Sequence, residues 1–221
     1  MFHLTKVAIV GGGPMKHIPN LTEYNEENMI WIGADHGCKV LIQQGIRPNY
    51  CVGDFDSVTE EELQLIRDAS HSIEEYEAEK DETDLEIALR KALSFHPTVL
   101  YFFGVTGGRL DHELVNLQLL HTVEQHKVRG IIVDNGNWVE LKVPGTYKIE
   151  HDDAFSNLSF IPFTPEIKGL TLSSFYYPLE NATVQWGSTL SISNKLISES
   201  GTFSFREGIV LLVKSRDVLE P

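Results

Sequence analysis

Short apolar runs alternate with amphipathic stretches through the first part of this chain. The apolar runs predict strands buried on both faces of a sheet, at residues 7–10, 29–32, 50–52, 99–105 and 131–133. The stretches between them predict helices at residues 39–44, 59–67, 85–93 and 113–125. Strands that alternate with helices favour a parallel sheet covered by helices, with ligands beyond the carboxyl ends of the strands. We therefore predict an α/β fold for this part of the chain.

The pattern changes after the turn-rich segment Asp134-Asn135-Gly136-Asn137. No helical period follows it, and the remaining sequence consists of alternating or β-branched segments separated by Pro, Gly, Asn and Ser. These segments predict strands at residues 138–143, 157–161, 170–175, 183–186, 189–192, 202–206 and 209–213. We predict an α/β domain over residues 1–136 and a small all-β, sandwich-like domain over residues 137–221.

The charge of the chain limits its partners. Asp and Glu outnumber Lys and Arg by 32 to 18, which gives a formal net charge of -14. Such a chain is a poor match for a nucleic-acid backbone, so we expect no nucleic-acid partner. An anionic substrate would need a bridging cation and local donors, for which Lys80 and Arg109 are candidates.

No membrane or export signal is evident at the N-terminus. The apolar run at residues 7–10 is too short to span a bilayer and ends in Gly11-Gly12-Gly13-Pro14, without a signal-peptide pattern. Cys38 and Cys51 are too few for a disulfide framework, and we expect both to be reduced and packed. We expect a cytoplasmic protein with no membrane partner.

Clusters of acidic residues follow predicted strands at three places, namely Gly53-Asp54-Phe55-Asp56-Ser57, Asp81-Glu82-Thr83-Asp84 and Gly107-Gly108-Arg109-Leu110-Asp111-His112. Carboxylates gathered in a cleft repel one another unless a cation or strong donors neutralise them. A magnesium ion whose oxygen shell is completed by nucleotide phosphates would do so. The clusters therefore indicate a site for Mg²⁺ and a nucleotide.

Each acidic cluster also has a purely structural interpretation. If extended geometry continues past the strand, Asp54 and Asp56 face one point and can bind metal. Alternatively, they form a turn, and Asp54 or Ser57 caps the helix that begins near Thr59.

The second cluster contains a helix start. Thr83 and Glu86 form a predicted capping box, which leaves Asp81 and Asp84 either to bind metal and phosphate or to complement the helix dipole.

The third cluster combines glycines with charged residues. Gly107 and Gly108, which follow Thr106, either expose amides to an anion or form a structural turn. Arg109 is suited to fork onto phosphate oxygens, and Asp111 either caps the following helix or holds metal.

Two further groups of residues are candidates for ligand contacts. Asp35, in another strand-to-helix turn, is a helix cap, a ribose contact or a metal neighbour, while Gly11-Gly12-Gly13 lacks the spacing of known phosphate loops. The β region offers a ring, hydroxyls and an amide that suit a flat heterocycle, from Tyr177, Ser191, Ser193 and Asn194. Such residues are also ordinary strand and turn elements.

The ordered set of motifs resembles the thiamine pyrophosphokinase family, through Gly33-Ala34-Asp35, the three acidic clusters and Ser191-Ile192-Ser193-Asn194. The resemblance spans most of the chain. It implies transfer of the β,γ-pyrophosphoryl group of ATP to the hydroxyl of thiamine, with Mg²⁺ as cofactor and AMP as product. It also implies that residues 1–136 bind ATP and that residues 137–221 bind thiamine.

The resemblance assigns roles to particular residues. Asp54, Asp56, Asp81 and Asp84 match the acidic metal and phosphate site, and the expected catalytic residues are Asp54, Asp56, Asp84 and Asp111. Expected ATP contacts are Asp35, Lys80, Asp81, Thr83, Thr106, Gly107, Gly108 and Arg109. The family's homodimers share each site between subunits, which would bring Tyr177, Ser191, Ser193 and Asn194 to thiamine. Tyr177 stands where animal members have a stacking Trp.

Several alternatives remain open from the sequence. Either Asp54 or Asp84 is suited to accept the hydroxyl proton. A pyrophosphokinase or nucleotidyltransferase acting on another alcohol is a second interpretation, and a non-catalytic Mg-nucleotide sensor is a third.

Overall fold

The computed structural model describes residues 5–56, 58–77 and 81–217. The chain divides into two compact units, Met1–Asn135 (unit 1) and Gly136–Pro221 (unit 2). Within the described residues, no helix has the length and apolar character needed to cross a membrane.

Unit 1 is built from parallel strands and helices. Its strands are β1 (Lys6–Val10), β2 (Met29–Ala34), β3 (Tyr50–Gly53), β4 (Ser72–Glu75), β5 (Val99–Phe103) and β6 (Arg129–Val133). Its α-helices are α1 (Gly37–Gln43), α2 (Glu60–Ala69), α3 (Asp84–Leu93) and α4 (Leu110–Gln125), and two 3₁₀ turns cover Met15–His17 and Leu21–Tyr24. The predicted α/β class with a parallel sheet is confirmed.

The strand order of unit 1 is β4-β3-β2-β1-β5-β6, with every pair parallel. The chain adds strands on one side of β1 and then returns to add β5 and β6 on the other side. The order therefore reverses between β1 and β5, and such a switch point leaves a crevice at the carboxyl ends of the two strands. Val7, Ala8, Ile9 and Val10 of β1 are fully buried, so the switch point lies at the centre of the core.

Strand β4 was missed by the sequence pattern. Its sequence Ser-Ile-Glu-Glu has a single apolar residue, and it stands at the end of the strand order with every residue half-buried or exposed. A strand in this position does not need the continuous apolar run that marks a central parallel strand.

Unit 2 is composed of antiparallel strands. They are β7 (Asn137–Lys142), β8 (Gly145–Glu150), β9 (Asn157–Pro162), β10 (Glu166–Ser173), β11 (Leu179–Gln185), β12 (Ser200–Phe205) and β13 (Val210–Ser215). β13 lies between β7 and β9, and the other sheet has the order β11-β10-β12-β8. Buried residues of both groups, including Phe160 of β9 and Phe203 of β12, form one hydrophobic cluster.

The predicted strand at residues 189–192 was wrong. The chain turns there, and the Ser191 hydroxyl donates a hydrogen bond to the carbonyl of Phe160 at 2.6 Å. Ser and Thr side chains that bond to the backbone compete with a strand ladder, which explains why the alternating pattern did not form a strand. β8 was also missed, because most of its residues remain partly or fully exposed.

Candidate active site

A cavity of about 850 Å³ lies in unit 1. It is lined by residues that follow β1, β2, β3 and β5 together with the starts of α3 and α4. The site residues predicted from sequence that line it are Asp35, Asp54, Thr83, Asp84, Thr106, Gly108, Arg109 and Asp111. Asp56, Asp81 and Gly107 are not among the lining residues. The acidic loops of separate strands therefore border one cavity, as loops at the carboxyl ends of parallel strands can.

Two glycine-rich loops meet at the switch point. The Gly11 amide donates to the carbonyl of Phe103, and the Gly13 amide donates to the carbonyl of Gly104, both at 2.8 Å. A Cβ on Gly13 would lie 2.6 Å from that Gly104 oxygen, so a side chain does not fit there. The sequence left Gly11-Gly12-Gly13 without an assigned role because it lacks a phosphate-loop spacing, yet all three glycines line the cavity.

The loop after β3 does not continue the extended geometry that was one sequence interpretation. Phe55 has a φ of 53° and is buried against Cys38, Cys51 and Ile66. The amide of Asp56 donates to the Asp54 carboxylate at 3.2 Å, which closes a local turn. Burial of the Phe55 ring reverses the chain, so Asp54 reaches the cavity while Asp56 is exposed beside it. Ser57 lies outside the described residues.

Thr83 caps helix α3, as the capping-box pattern predicted. Its hydroxyl accepts from the Glu86 amide at 3.3 Å, and the Glu86 carboxylate accepts from the Thr83 amide at 2.9 Å. Thr83 and Asp84 line the cavity, so the positive end of the α3 dipole faces it. Asp81 is exposed, and the predicted phosphate ligand Lys80 lies outside the described residues.

Helix α2 begins with a capping box, whereas one sequence interpretation had Asp54 or Ser57 as the cap of this helix. Thr59, and not Asp54, is its N-cap, and it exchanges hydrogen bonds with Glu62. The Thr-x-x-Glu spacing was present in the sequence and was sufficient to find this cap.

Arg109 and Asp111 form a forked ion pair at the mouth of the cavity. Arg109 donates from Nε to Asp111 Oδ1 at 3.1 Å and from Nη2 to Oδ2 at 2.6 Å. The His112 amide adds a third donor at 3.0 Å. The Arg109 guanidinium and this amide hold the pKa of Asp111 at about 2. Arg109 is itself the N-cap residue of α4, so the alternative in which Asp111 caps the helix was wrong.

Side chains of α4 and of Asp134, which directly follows β6, hold the loop that carries Thr106. Asn116 donates to the carbonyl of Val105 at 2.8 Å, and Glu113 accepts from the Gly107 amide at 3.0 Å. Thr106 donates its hydroxyl to Asp134 Oδ2 at 2.7 Å. Sequence reasoning missed Glu113, Asn116 and Asp134. For two of them a signal was available, because Glu113 and Asn116 are three residues apart near the start of the next helix and so share one of its faces.

Asp35 lies at the turn between β2 and α1. Its φ is 47°, and its amide donates to the carbonyl of Val52 at 2.8 Å. The N-cap of α1 is His36, and its side chain makes no capping bond. The interpretation of Asp35 as the helix cap was therefore wrong, and its carboxylate lies on the cavity wall near Nδ1 of His36, at 3.6 Å.

The four predicted thiamine residues lie in unit 2 and differ in exposure. Tyr177 is 57% exposed and Ser193 is exposed, whereas Ser191 and Asn194 are each 1% exposed. The Asn194 side chain accepts from the Tyr177 amide at 3.0 Å and donates to the Tyr177 carbonyl at 2.8 Å. The buried polar groups thus fix the backbone that presents the exposed ones.

Two family models match the chain over most of its length. The model of the thiamin pyrophosphokinase catalytic domain matches residues 21–132, and the model of the thiamin pyrophosphokinase vitamin B1 binding domain matches residues 146–210. The chain belongs to the thiamin pyrophosphokinase family. The first match covers the cavity residues that follow β2, β3 and β5 and those at the starts of α3 and α4, but not β1 and its glycine loop. The second covers the part of unit 2 that holds Tyr177 and Asn194.

Two bacterial thiamin pyrophosphokinases are similar to this chain along nearly their whole length. The thiamine pyrophosphokinase of Bacillus subtilis is 46% identical over 211 residues, which cover 96% of this chain and 99% of the relative. Its crystal structure superposes with a TM-score of 0.91 at 43% identity, covering 97% of this chain and 100% of that chain. The thiamin pyrophosphokinase of Geobacillus thermodenitrificans gives a TM-score of 0.86 at 40% identity, covering 97% and 99%.

The cavity's carboxylates fit a metal that arrives with a nucleotide. Among the described residues, no three or more His, Cys, Asp and Glu side chains are grouped to hold a metal. Mg²⁺ typically uses one or two protein carboxylates and completes its shell with water and substrate phosphates. Asp54, on the loop after β3, and Asp84, the first residue of α3, both line the cavity and carry carboxylate oxygens of that kind.

The Arg109–Asp111 pair gives a prediction about charge. Arg109→Gln is expected to raise the pKa of Asp111 from about 2 toward an ordinary Asp value of about 3.9. Folding lowers the pKa of Asp111, so the ion pair stabilises the fold when the pH is above the ordinary pKa of an Asp carboxyl. This stabilisation is lost as the pH falls through about 2. Carboxyl NMR titration measures the shift. Arg67→Gln, which removes a partner of Glu75, serves as the matched control, and titration of wild-type Asp111 near pH 4 would contradict the assignment.

Proposed function

We propose that this chain is a thiamine pyrophosphokinase that transfers the β,γ-pyrophosphoryl group of ATP to the hydroxyl of thiamine in one step. The hydroxyl oxygen bonds to the β-phosphorus, the bond from that phosphorus to the α,β-bridging oxygen breaks, and AMP leaves. The observation that carries the proposal is the cavity at the switch point of unit 1, in a chain of this family. It brings glycine backbone, an arginine and carboxylates from separate loops to one place.

Each wall of the cavity has a chemical task in this proposal. The glycine loops let phosphate oxygens approach the backbone closely. The N-terminus of α3 favours negative charge. Arg109 has further guanidinium N–H groups, beyond the two bonded to Asp111, that suit phosphate oxygens. Phosphoryl-type transfer depends mainly on positioning and charge neutralisation, which these groups supply.

Asp54 and Asp84 would hold Mg²⁺ from the cavity wall, with Asp56 and Asp81 on the adjoining exposed segments. When bound, the ion neutralises phosphate charge and orients the reacting groups. In this proposal either Asp54 or Asp84 would accept the proton released by the attacking hydroxyl. Asp111 keeps Arg109 oriented through their two hydrogen bonds.

Product analysis tests the reaction. Purified protein with ATP, Mg²⁺ and thiamine is expected to form AMP and thiamine diphosphate in equal amounts. Chromatography of the reaction mixture measures both products. ADP as the nucleotide product would reject pyrophosphoryl transfer, and release of inorganic pyrophosphate would indicate nucleotidyl transfer. Binding of Mg-ATP without turnover would indicate a sensor.

Carboxylate variants in the same assay test the wall assignment. Asp54→Asn and Asp84→Asn are each expected to lower kcat at least about 100-fold, because each removes negative charge facing the metal and phosphates. Asp68→Asn is the matched control, since Asp68 lies near the end of α2 and bonds to Gln64. Near-normal turnover by both cavity variants would reject the assignment.

We propose that unit 2 is a sandwich-like thiamine-binding domain and that Tyr177 stacks on thiamine. Two exposed tyrosines adjoin each other, with ring centroids 4.9 Å apart. The Lys195 ammonium lies 4.5 Å from the centroid of the Tyr176 ring and therefore disfavours a cationic ligand there. Tyr177 is held through its backbone by Asn194, and its ring is available to a cationic or flat heterocycle. Ser193 offers a nearby exposed hydroxyl, while the buried Ser191 anchors the turn.

The two tyrosines form a matched pair for mutagenesis. Tyr177→Ala is expected to raise the KM for thiamine about tenfold through loss of ring stacking, with the KM for ATP within about twofold. Tyr176→Ala should leave both constants within about twofold, and Tyr177→Trp should retain thiamine binding. Equal effects of the two alanine variants would contradict Tyr177 as the stacking ring.

We also propose a homodimer in which unit 1 of one subunit and unit 2 of the other complete each site. Exposed apolar residues on α4 support an interface, because Leu110, Leu114 and Val115 are 69%, 52% and 46% exposed beside the cavity loops. Light scattering is expected to give twice the 24.9 kDa mass of the chain. A monomer mass for fully active enzyme would reject the shared site.

A further inference from the structure

The dipeptide Asp134-Asn135, directly after β6, is a feature of unit 1 that the proposed chemistry does not use. Asp134 is 7% exposed and is not among the residues that line the cavity. A buried carboxylate is costly unless hydrogen bonds satisfy it, so its place at the carboxyl end of β6 needs a physical reason.

Asp134 holds the loop that follows β5. Its Oδ2 accepts a 2.7 Å hydrogen bond from the Thr106 hydroxyl, across 28 positions of sequence. Thr106 is followed by Gly107, whose φ of 77° is one that few residues other than glycine adopt. A loop with glycines at its centre has high conformational freedom, and a charge-assisted bond to a buried carboxylate offsets part of it.

Asn135 holds the segment that follows the first glycine loop. Its amide nitrogen Nδ2 donates to the carbonyls of Lys16 at 2.7 Å and Ile18 at 3.3 Å. Its backbone N–H donates to the carbonyl of His17 at 2.8 Å. Asn135 therefore donates hydrogen bonds to three consecutive carbonyls, those of residues 16–18, shortly after Gly11–Pro14.

The two fastened segments also touch each other. A Cβ on Gly107 would lie 2.4 Å from Cδ2 of the His17 ring, which shows that this ring packs against the Gly107 backbone. The Gly13 amide donates to the Gly104 carbonyl at 2.8 Å. The position of one glycine loop thus depends on the position of the other.

We infer that Asp134 and Asn135 are positioning residues that hold the two glycine loops at the spacing required by a nucleoside triphosphate. This inference rests on the proposed function for its ligand. The hydrogen bonds made by Asp134 and Asn135, which we call the fastening, are present in the protein without nucleotide. Neither residue is among those that line the cavity, and both act through Thr106 and the segment at residues 16–18.

Matched threonine variants test the fastening. Thr106→Val removes the hydroxyl bonded to Asp134, and Thr106→Ser retains one. Thr98→Val is the control, because Thr98 precedes the same strand β5 and donates its hydroxyl to the Thr5 carbonyl at the opposite end. Amide hydrogen exchange of the peptide spanning residues 103–109 is measured without nucleotide, and then the KM for ATP and the KM for thiamine are measured.

Thr106→Val and Asp134→Ala are each expected to reduce protection of this peptide about tenfold and to raise the KM for ATP about tenfold, with the KM for thiamine within about twofold. Thr106→Ser should keep the wild-type protection of this peptide, and Thr98→Val should remain within about twofold of wild type in all three measurements. The double variant Thr106→Val/Asp134→Ala should resemble the worse single variant, because both changes delete one interaction.

Two outcomes overturn the inference. One is unchanged exchange in Thr106→Val, a result that decides the matter even when Asp134→Ala does not fold. The other is multiplication of the two KM effects to about 100-fold in the double variant, which would mean that Thr106 and Asp134 act independently. Absence of thiamine diphosphate with wild-type protein, together with the expected exchange results, would reject the proposed function and leave the fastening intact.

Discussion

The close approach of the loops after β1 and β5 is the constraint on which the rest of unit 1 depends. The Gly13 amide lies 2.8 Å from the Gly104 carbonyl, and a side chain on Gly13 would collide with that oxygen. This contact is possible because β1 and β5 are parallel neighbours whose carboxyl ends lie at the same edge. The reversal of strand order at this point opens the crevice in which a ligand can lie.

Around this crevice, the protein places carboxylates by local backbone devices. A buried phenylalanine with a φ of 53° reverses the chain after β3 and leaves Asp54 on the cavity wall. A capping box starts α3, whose first residue, Asp84, also lines the cavity. Arg109, which pairs with Asp111, is a further lining residue. In the proposed function, this arrangement would hold a cation that shares its ligands with a triphosphate, in keeping with how Mg²⁺ is usually bound.

Patterns of apolar residues were sufficient for the α/β class and for the central strands, because a strand buried on both faces must be apolar throughout. The Thr83–Glu86 capping box was predictable for a similar reason, since its hydrogen bonds lie within four residues. Strand β4 and the turn at residues 189–192 were not predictable in this way. One is half-exposed, and the other is held by a Ser191 bond to Phe160, 31 residues away.

The sequence by itself determined which residue types were available to the site and their order along the chain, and the order of motifs was enough to suggest the family. Only the tertiary structure decided which of them reach the cavity. Asp54 lines it and Asp56 does not, because burial of the ring between them turns the chain. Asp134 meets Thr106 because β6 lies beside β5, a pairing between residues far apart in sequence that no local pattern encodes. Local hydrogen bonds and periodic burial are determined by residues close together in sequence. The convergence of site residues at one edge of the sheet depends instead on the order of the strands.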